Sequence, residues 1–418
     1  IKIETYYTIP YKKSDTTSLT YEDQKERLAT ILENSVQKRL IADVPLGSFL
    51  SGGLDSSIIA ALAKRHKEDL HTFSIGFQDE KFFDETNYAR AVAKKIRSEH
   101  TVFSLTNTDL YKHVHDILDY IDEPFADSSS IAVYILSQET RKHATVALSG
   151  DGADELFAGY NKHAAFQRII EGGVATNMVK VFGPLWSILP TSRNNGLTNK
   201  FRQLHRFSKG MHLTSKERYW AWAGFAPEKE VTFLLSDHSL DKVDTAHYQG
   251  VKSKLLQSIP ANEHLNDLLY TDTTLVLPDD MLTKVDRMSM ANSLEVRVPF
   301  LDHQLVEFAF QLSKDSKING GIRKRILQDT FKDILPEELY NRPKKGFEVP
   351  LLKWFRNEMR HMIENEWLLD SFIEEQGIFD VKAIRKLKKK LFSSNPGDVH
   401  ARVWALIVFQ QWWKKYGS

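Results

Sequence analysis

Between residues 44 and 152, short apolar runs alternate with segments of helical period, and this alternation leaves few folds open to the chain. Val44–Leu50, Thr72–Phe77, His100–Phe103 and Thr145–Leu148 read as strands. Ser56–Arg65, Glu85–Ile96, Leu110–Ile121 and Ser129–Arg141 read as helices between them. Strands joined through helices run parallel and need cover on both faces, so the predicted fold class is α/β, a doubly wound parallel sheet. Upstream, Leu28, Ile31, Leu32 and Val36 repeat at helical spacing within Tyr21–Leu40 and mark one amphipathic helix. From about Ala153 the pattern turns almost wholly helical, with breaks at Gly172-Gly173, Pro184, Pro190 and Asn194-Asn195-Gly196, and a further shift at Asn319-Gly320-Gly321. The expected organisation is an arm over 1–20, an α/β core over 21–170 and a mostly helical continuation over 171–418 that completes the substrate site.

Two of the strands end in glycine turns. Leu50-Ser51-Gly52-Gly53-Leu54-Asp55-Ser56-Ser57 follows the first strand and opens a helix. Such a layout aims backbone N–H groups and a helix dipole at an anion. The turn has neither the lysine of a Walker loop nor the G-x-G-x-x-G of a dinucleotide fold. It suits the pyrophosphate leaving group of ATP better than a transferred γ-phosphate, and the string resembles the pyrophosphate-binding loop of the ATP pyrophosphatase (PP-loop) group. The second turn, Ser149-Gly150-Asp151-Gly152-Ala153-Asp154-Glu155, sets three carboxylates at the start of a helix. Acids there compensate the dipole by about 0.3–1 kcal/mol, which explains one or two of them. With Asp55 nearby, Asp154 would complete a pair of hard oxygen ligands for Mg²⁺ on a polyphosphate. Parallel sheets bind ligands at strand carboxyl ends, so the two turns are expected side by side although about a hundred residues separate them.

Two further segments combine charge with structure. Leu277–Asp302 places Asp286, Arg287, Glu295 and Arg297 in an otherwise apolar, helix-forming stretch. These residues read equally well as a buried ion-pair helix, in which every charge needs a partner, or as part of a site. In Asn341-Arg342-Pro343-Lys344-Lys345-Gly346-Phe347, Lys345 reads as solvated. Lys344, between proline and glycine, is either solvated too or a cation for a phosphate or an oxyanion.

Composition excludes several classes. A formal net charge of +1 gives no general attraction to nucleic acid or to an acidic membrane, and no apolar run approaches the roughly 20 residues of a span. The absence of cysteine rules out disulfides, thiolate metal sites and a cysteine nucleophile, and a cytoplasmic setting is expected. The chain opens on Ile1 and is read as part of a longer polypeptide.

Taken together, the four segments resemble the synthetase domain of the glutamine-hydrolysing asparagine synthetases, from about Tyr21 to the C-terminus. Phe73–Phe77 with Asp84-Glu85-Thr86, and Asp122–Ser128, agree with it. The resemblance implies an adenine-nucleotide α-hydrolase-like fold, with ATP and Mg²⁺ as cofactors and aspartate and ammonia as substrates. By position it implies that Leu50 and Ile75 contact the nucleoside, that Ser51, Gly52, Gly53, Asp55 and Ser56 cradle pyrophosphate, and that Ser149 and Gly150 line the nucleotide pocket. Asp55 and Asp154 would hold Mg²⁺. Asp151 falls where the family handles the β-aspartyl-AMP intermediate, some members carrying glutamate, and Lys344 matches a lysine near the α-phosphate. Gln328 stands where arginine is frequent. The resemblance further implies a glutaminase domain in the same or a partner polypeptide and allows a homodimer, with no role for nucleic acid or membrane. Two alternatives are β-lactam- or macrolactam-forming synthetases that adenylate another carboxylate, and a non-catalytic ATP-binding subunit.

Overall fold

The computed structural model describes residues 2–11, 16–79, 84–183, 196–224, 226–260, 264–340 and 349–417. It contains a parallel five-stranded sheet of β1 (Leu46–Phe49), β2 (His71–Phe77), β3 (Glu99–Leu105), β4 (Val146–Leu148) and β5 (Glu295–Arg297). The strand order is β3-β2-β1-β4-β5. Ser48 pairs with Thr72 on one side and with Leu148 on the other. The winding therefore reverses between β1 and β4, where a doubly wound sheet opens a crevice at its carboxyl edge. β1, β2 and β4 are buried along most of their length, as strands covered on both faces must be.

The helices follow from their sequences. Helix α1 (Tyr21–Arg39) starts in a capping box, with the Asp23 N–H donating to Thr20 Oγ1 and the Asp23 carboxylate accepting from the Thr20 N–H. Its Leu28, Leu32 and Val36 are fully buried, each contributing about 1.5–3 kcal/mol relative to exposure. Helix α2 (Leu54–His66) buries every residue from Ser56 to Ala63, so these two turns are covered on all sides and sit in the core, while the basic last turn reaches the surface. Helix α3 (Thr86–Ile96) presents Ala89, Val92 and Ala93 to the same core.

The fifth strand corrects the expectation for the 277–302 stretch. Residues 265–290 form one helical run, α-helical at Leu265–Thr271 and Thr283–Met290 and π-wound at Asp272–Leu282 around Pro278. Glu295 and Arg297 lie beyond it on β5, so no ion-pair helix joins them to Asp286 and Arg287. Glu295 is 56% exposed and pairs with Arg297 Nε at 2.6 Å. Arg297 Nη1 donates to the carbonyls of Arg39 (2.9 Å) and Ile41 (2.7 Å), a cation placed at the negative end of α1. Ser35 Oγ donates to Pro299 O at 2.6 Å, and Asp302 pairs with Arg39. This string joins the sheet edge to α1 and is structural.

The chain forms two compact units that interleave in sequence. One comprises residues 1–105, 132–166 and 264–346 and contains the sheet. Residues 264–346, expected in a helical continuation, belong to it because β5 extends the sheet and the helix Arg325–Phe331 packs on α1. The other comprises 106–131, 167–263 and 347–418, is helical among its described residues, and is built around Trp354, Phe355, Trp367 and Trp404. Trp404 stacks on Phe355 at 6.4 Å, while Trp412 donates from its indole to Asp122 O at 2.8 Å. No described helix is long and apolar enough to cross a membrane.

Candidate active site at the carboxyl ends of β1 and β4

The turn after β1 is organised by its own hydroxyls. Ser51 Oγ and Ser56 Oγ lie 3.0 Å apart, the Gly53 N–H donates to Ser51 Oγ, and Ser57 Oγ donates to Gly53 O at 2.6 Å. Gly53 is the N-cap of α2 and offers no side-chain cap to the first turn. The loop is thus preshaped with the positive end of a buried helix behind it, an arrangement for an anion. Gly52 is buried at φ +76°. Leu50, also buried, is tied to β2 through its N–H to Phe73 O (2.8 Å) and by Ser74 Oγ to its carbonyl. Ile75 lies on β2 at the same end of the sheet.

The turn after β4 lies against this loop. A side-chain carbon built at Gly150 would fall 2.6 Å from the Ser56 nitrogen and 2.8 Å from the Asp55 carbonyl carbon, so only glycine lets the two turns meet. The Ser149 N–H donates to Arg297 O (2.9 Å), and Ser149 Oγ donates to Asp151 Oδ2, which fixes the direction of that carboxylate.

Lys324 joins the two turns. Its Nζ lies 2.5 Å from Asp55 Oδ2 and 2.6 Å from Asp154 Oδ1. Burial works against the charged ammonium, but Asp154 and then Asp55 outweigh it and hold the pKa above its ordinary value. The residue arrives on a short antiparallel hairpin, β6 (Ile318–Asn319) and β7 (Ile322–Arg323), which turns at Gly320-Gly321, both at positive φ. Lys324 is itself left-handed at φ 52° and leads into the helix Arg325–Phe331. Sequence reading missed it. The available signal was a lysine directly after a Gly-Gly hairpin, beside the Arg325–Gln328 stretch. Gln328, which stands where arginine is frequent in the family the chain resembles, donates its amide to Arg323 O at 2.7 Å and helps to hold the hairpin.

A buried polar network follows Asp154 and feels its charge. Glu155 is buried and accepts from the Tyr160 hydroxyl at 2.5 Å. Burial, reinforced by the Asp154 charge, pushes the Glu155 carboxyl up to about 7. His163 Nε2 lies 2.6 Å from Asp272 Oδ2, and Lys162 Nζ lies 2.7 Å from Asp272 Oδ1. Burial opposes the Asp272 charge, yet Lys162 and His163 overcome it and hold the carboxyl down at about 2. Lys344 lies outside the described residues.

The donor set can be tested against a divalent cation. Among the described residues no group of three or more His, Asp or Glu side chains could hold a metal ion. Asp55 and Asp154 offer two hard carboxylates side by side on the Lys324 ammonium, a donor set that fits Mg²⁺ bound by one or two carboxylates and completed by substrate phosphates. An all-protein cage is not what these residues build.

Residues 27–414 match the Asparagine synthase family. The chain belongs to this family. The glutamine-hydrolysing asparagine synthetase 1 of Bacillus subtilis is 30% identical over 99% of this chain and 62% of its own length. A putative glutamine-hydrolysing asparagine synthetase of Mycobacterium tuberculosis is 31% identical over 98% of this chain and 60% of its own. The chain therefore spans about three fifths of the curated relatives it matches. Among solved structures, an NMN synthetase from Francisella tularensis aligns with 34% of this chain and 59% of its own at 16% identity, with a TM-score of 0.25, a likeness too slight to bear on the fold.

Proposed function

We propose that this family member carries out ATP-dependent amide formation, and that its substrates are aspartate and ammonia. The observation behind the reading is the convergence of Asp55 and Asp154 from two adjacent glycine turns at the carboxyl edge of the sheet. A carboxylate cannot form an amide directly, because hydroxide or oxide is too poor a leaving group. Adenylation solves this: the side-chain carboxylate of aspartate attacks the α-phosphorus of ATP, giving β-aspartyl-AMP and pyrophosphate. Ammonia then attacks the acyl carbon, and asparagine and AMP leave.

In this scheme the Ser51–Ser56 loop and the α2 N-terminus hold the departing pyrophosphate, and the Lys324 ammonium offsets phosphate charge. Asp55 and Asp154 would hold Mg²⁺, which supplies charge neutralisation on the polyphosphate. Asp151, whose carboxylate accepts from Ser149 Oγ, would take a proton as ammonia adds. By resemblance, Lys344 stabilises charge at the α-phosphate. Ammonia would come from a glutamine-hydrolysing domain, the activity for which the relatives are named.

The test is pyrophosphate release from ATP with aspartate and ammonia, run beside a panel of other carboxylic acids. Aspartate should support turnover, and Asp55→Asn should lower it by about 10³-fold or more while the chain stays folded. Silence with aspartate and turnover with another acid would reassign the substrate. Undiminished turnover in Asp55→Asn would remove that carboxylate from the mechanism.

A further inference from the structure

Lys324 does more here than line a phosphate pocket. Its side chain is 7% exposed, against 21% and 20% for Asp55 and Asp154, so the ammonium is the most deeply buried of the three charged groups. Its placement is specified by several independent features. Arg323 Nη1 donates to Gly159 O (2.8 Å) and to Asn161 Oδ1 (2.7 Å), clamping the hairpin to the segment that follows Asp154. The lysine sits in a left-handed conformation that non-glycine residues avoid, and such a position persists only when its surroundings impose it. Gly159 leaves room for both partners: a side-chain carbon there would lie 1.7 Å from Asp154 Oδ1 and 2.1 Å from Lys324 Cε.

We propose that Lys324 is the resident counter-ion of the Asp55–Asp154 pair, and that a divalent cation seats there only together with a polyphosphate that draws the ammonium away. The proposal rests on the adenylation reading. Its physical basis is charge balance. With the ammonium between them, the two carboxylates have part of their charge already neutralised, and a divalent cation seated on them would also meet the repulsion of an adjacent buried ammonium. A polyphosphate changes both terms, since it gives the ammonium a new anionic partner and brings further oxygen ligands for the metal. The fold thereby couples metal seating to nucleotide binding. Without that coupling, a lone Mg²⁺ could occupy the pair and attract the wrong anion.

The measurement is Mn²⁺ binding by electron paramagnetic resonance, without turnover, in three settings: Mn²⁺ alone, Mn²⁺ with tripolyphosphate, and Mn²⁺ with ATP. The wild-type chain should seat Mn²⁺ only in the second and third. Lys324→Met, similar in length and uncharged, should seat Mn²⁺ with no phosphate present, at least about tenfold more tightly than wild type. Adding Asp154→Asn to that variant should abolish the gain. Equal binding of Mn²⁺ alone by wild type and Lys324→Met overturns the proposal. So does firm Mn²⁺ seating in the wild type without phosphate, a result that needs no variant to fold. The adenylation reading fails separately. A chain that releases pyrophosphate from ATP yet binds Mn²⁺ alike in both forms loses only the counter-ion. A chain in which Lys324→Met gains Mn²⁺ but no carboxylate triggers pyrophosphate release keeps it.

Discussion

Two buried lysines flank the β6–β7 hairpin, and they have met the same desolvation with opposite results. Lys317, just before β6, is fully buried with its Nζ 2.8 Å from Asn266 Oδ1 and 5.2 Å from the Phe310 ring centre. Burial lowers its pKa from 10.5 to about 7. Lys324, just after β7, meets two carboxylates, and its pKa is held above the ordinary value in spite of burial. An amide oxygen and a phenyl face do not repay the desolvation of an ammonium, whereas two anions do. One lysine is a core residue with a charge problem. The other is part of a charged site.

The contrast can be broken from either side. The largest effect should come from Asp55→Asn combined with Asp154→Asn, which turns Lys324 into a second Lys317. Stranding that ammonium should cost about 3–5 kcal/mol in urea unfolding, unless the lysine deprotonates first. A chain as stable as wild type would mean that the carboxylates do not hold Lys324 as described. Next comes Lys317→Met, expected to stabilise the chain by about 1–3 kcal/mol near pH 7, after allowing for the Asn266 oxygen that loses its donor. The sign follows from proton counting. Between about 7 and 10.5 the unfolded chain keeps a proton on Lys317 that the folded chain has lost, so wild-type stability should rise with pH across that window. Lys317→Met should flatten that rise, and an unchanged pH slope would show that Lys317 stays charged. At Lys324 the sign is reversed, its contribution being complete below 10.5 and lost only as pH climbs through the raised folded value. The smallest effect should come from Arg323→Met, which removes the clamp on Gly159 and Asn161. A loss of about 1 kcal/mol in stability and a rise in KM for ATP larger than any fall in kcat are expected from steady-state kinetics.

The same contrast marks how far the sequence could be read. The alternation from Val44 to Gly152 gave the four strands of the parallel sheet that local period can announce, and both glycine turns fell at strand ends as expected. That Ser56 and Gly150 would touch followed from the topology of a doubly wound sheet. β5 was missed because it is three residues long, carries a glutamate and an arginine, and follows a long helical run, so nothing in its local period marks it. Arg297 reads as a member of a buried ion-pair helix or of a site, yet besides Glu295 it meets the carbonyls of Arg39 and Ile41 at the end of α1, some 250 residues earlier, a contact that no local pattern encodes. Lys324 was hidden for the same reason. A lysine's neighbours in sequence say nothing about the two carboxylates, 269 and 170 residues away, that decide whether it is a site residue or a liability. The buried His163–Asp272 pair, drawn from two distant helical segments, was equally invisible.

The central claim is that a substrate carboxylate attacks the α-phosphorus of ATP at the paired glycine turns. It can be tested by following oxygen rather than rate. Aspartate carrying heavy oxygen in its side-chain carboxylate is turned over with ATP and ammonia, and the AMP is examined by mass spectrometry. If β-aspartyl-AMP forms, AMP acquires one heavy oxygen from the carboxylate, and Asp55→Asn yields almost no labelled AMP. AMP free of label, or ADP and phosphate in its place, would contradict the account.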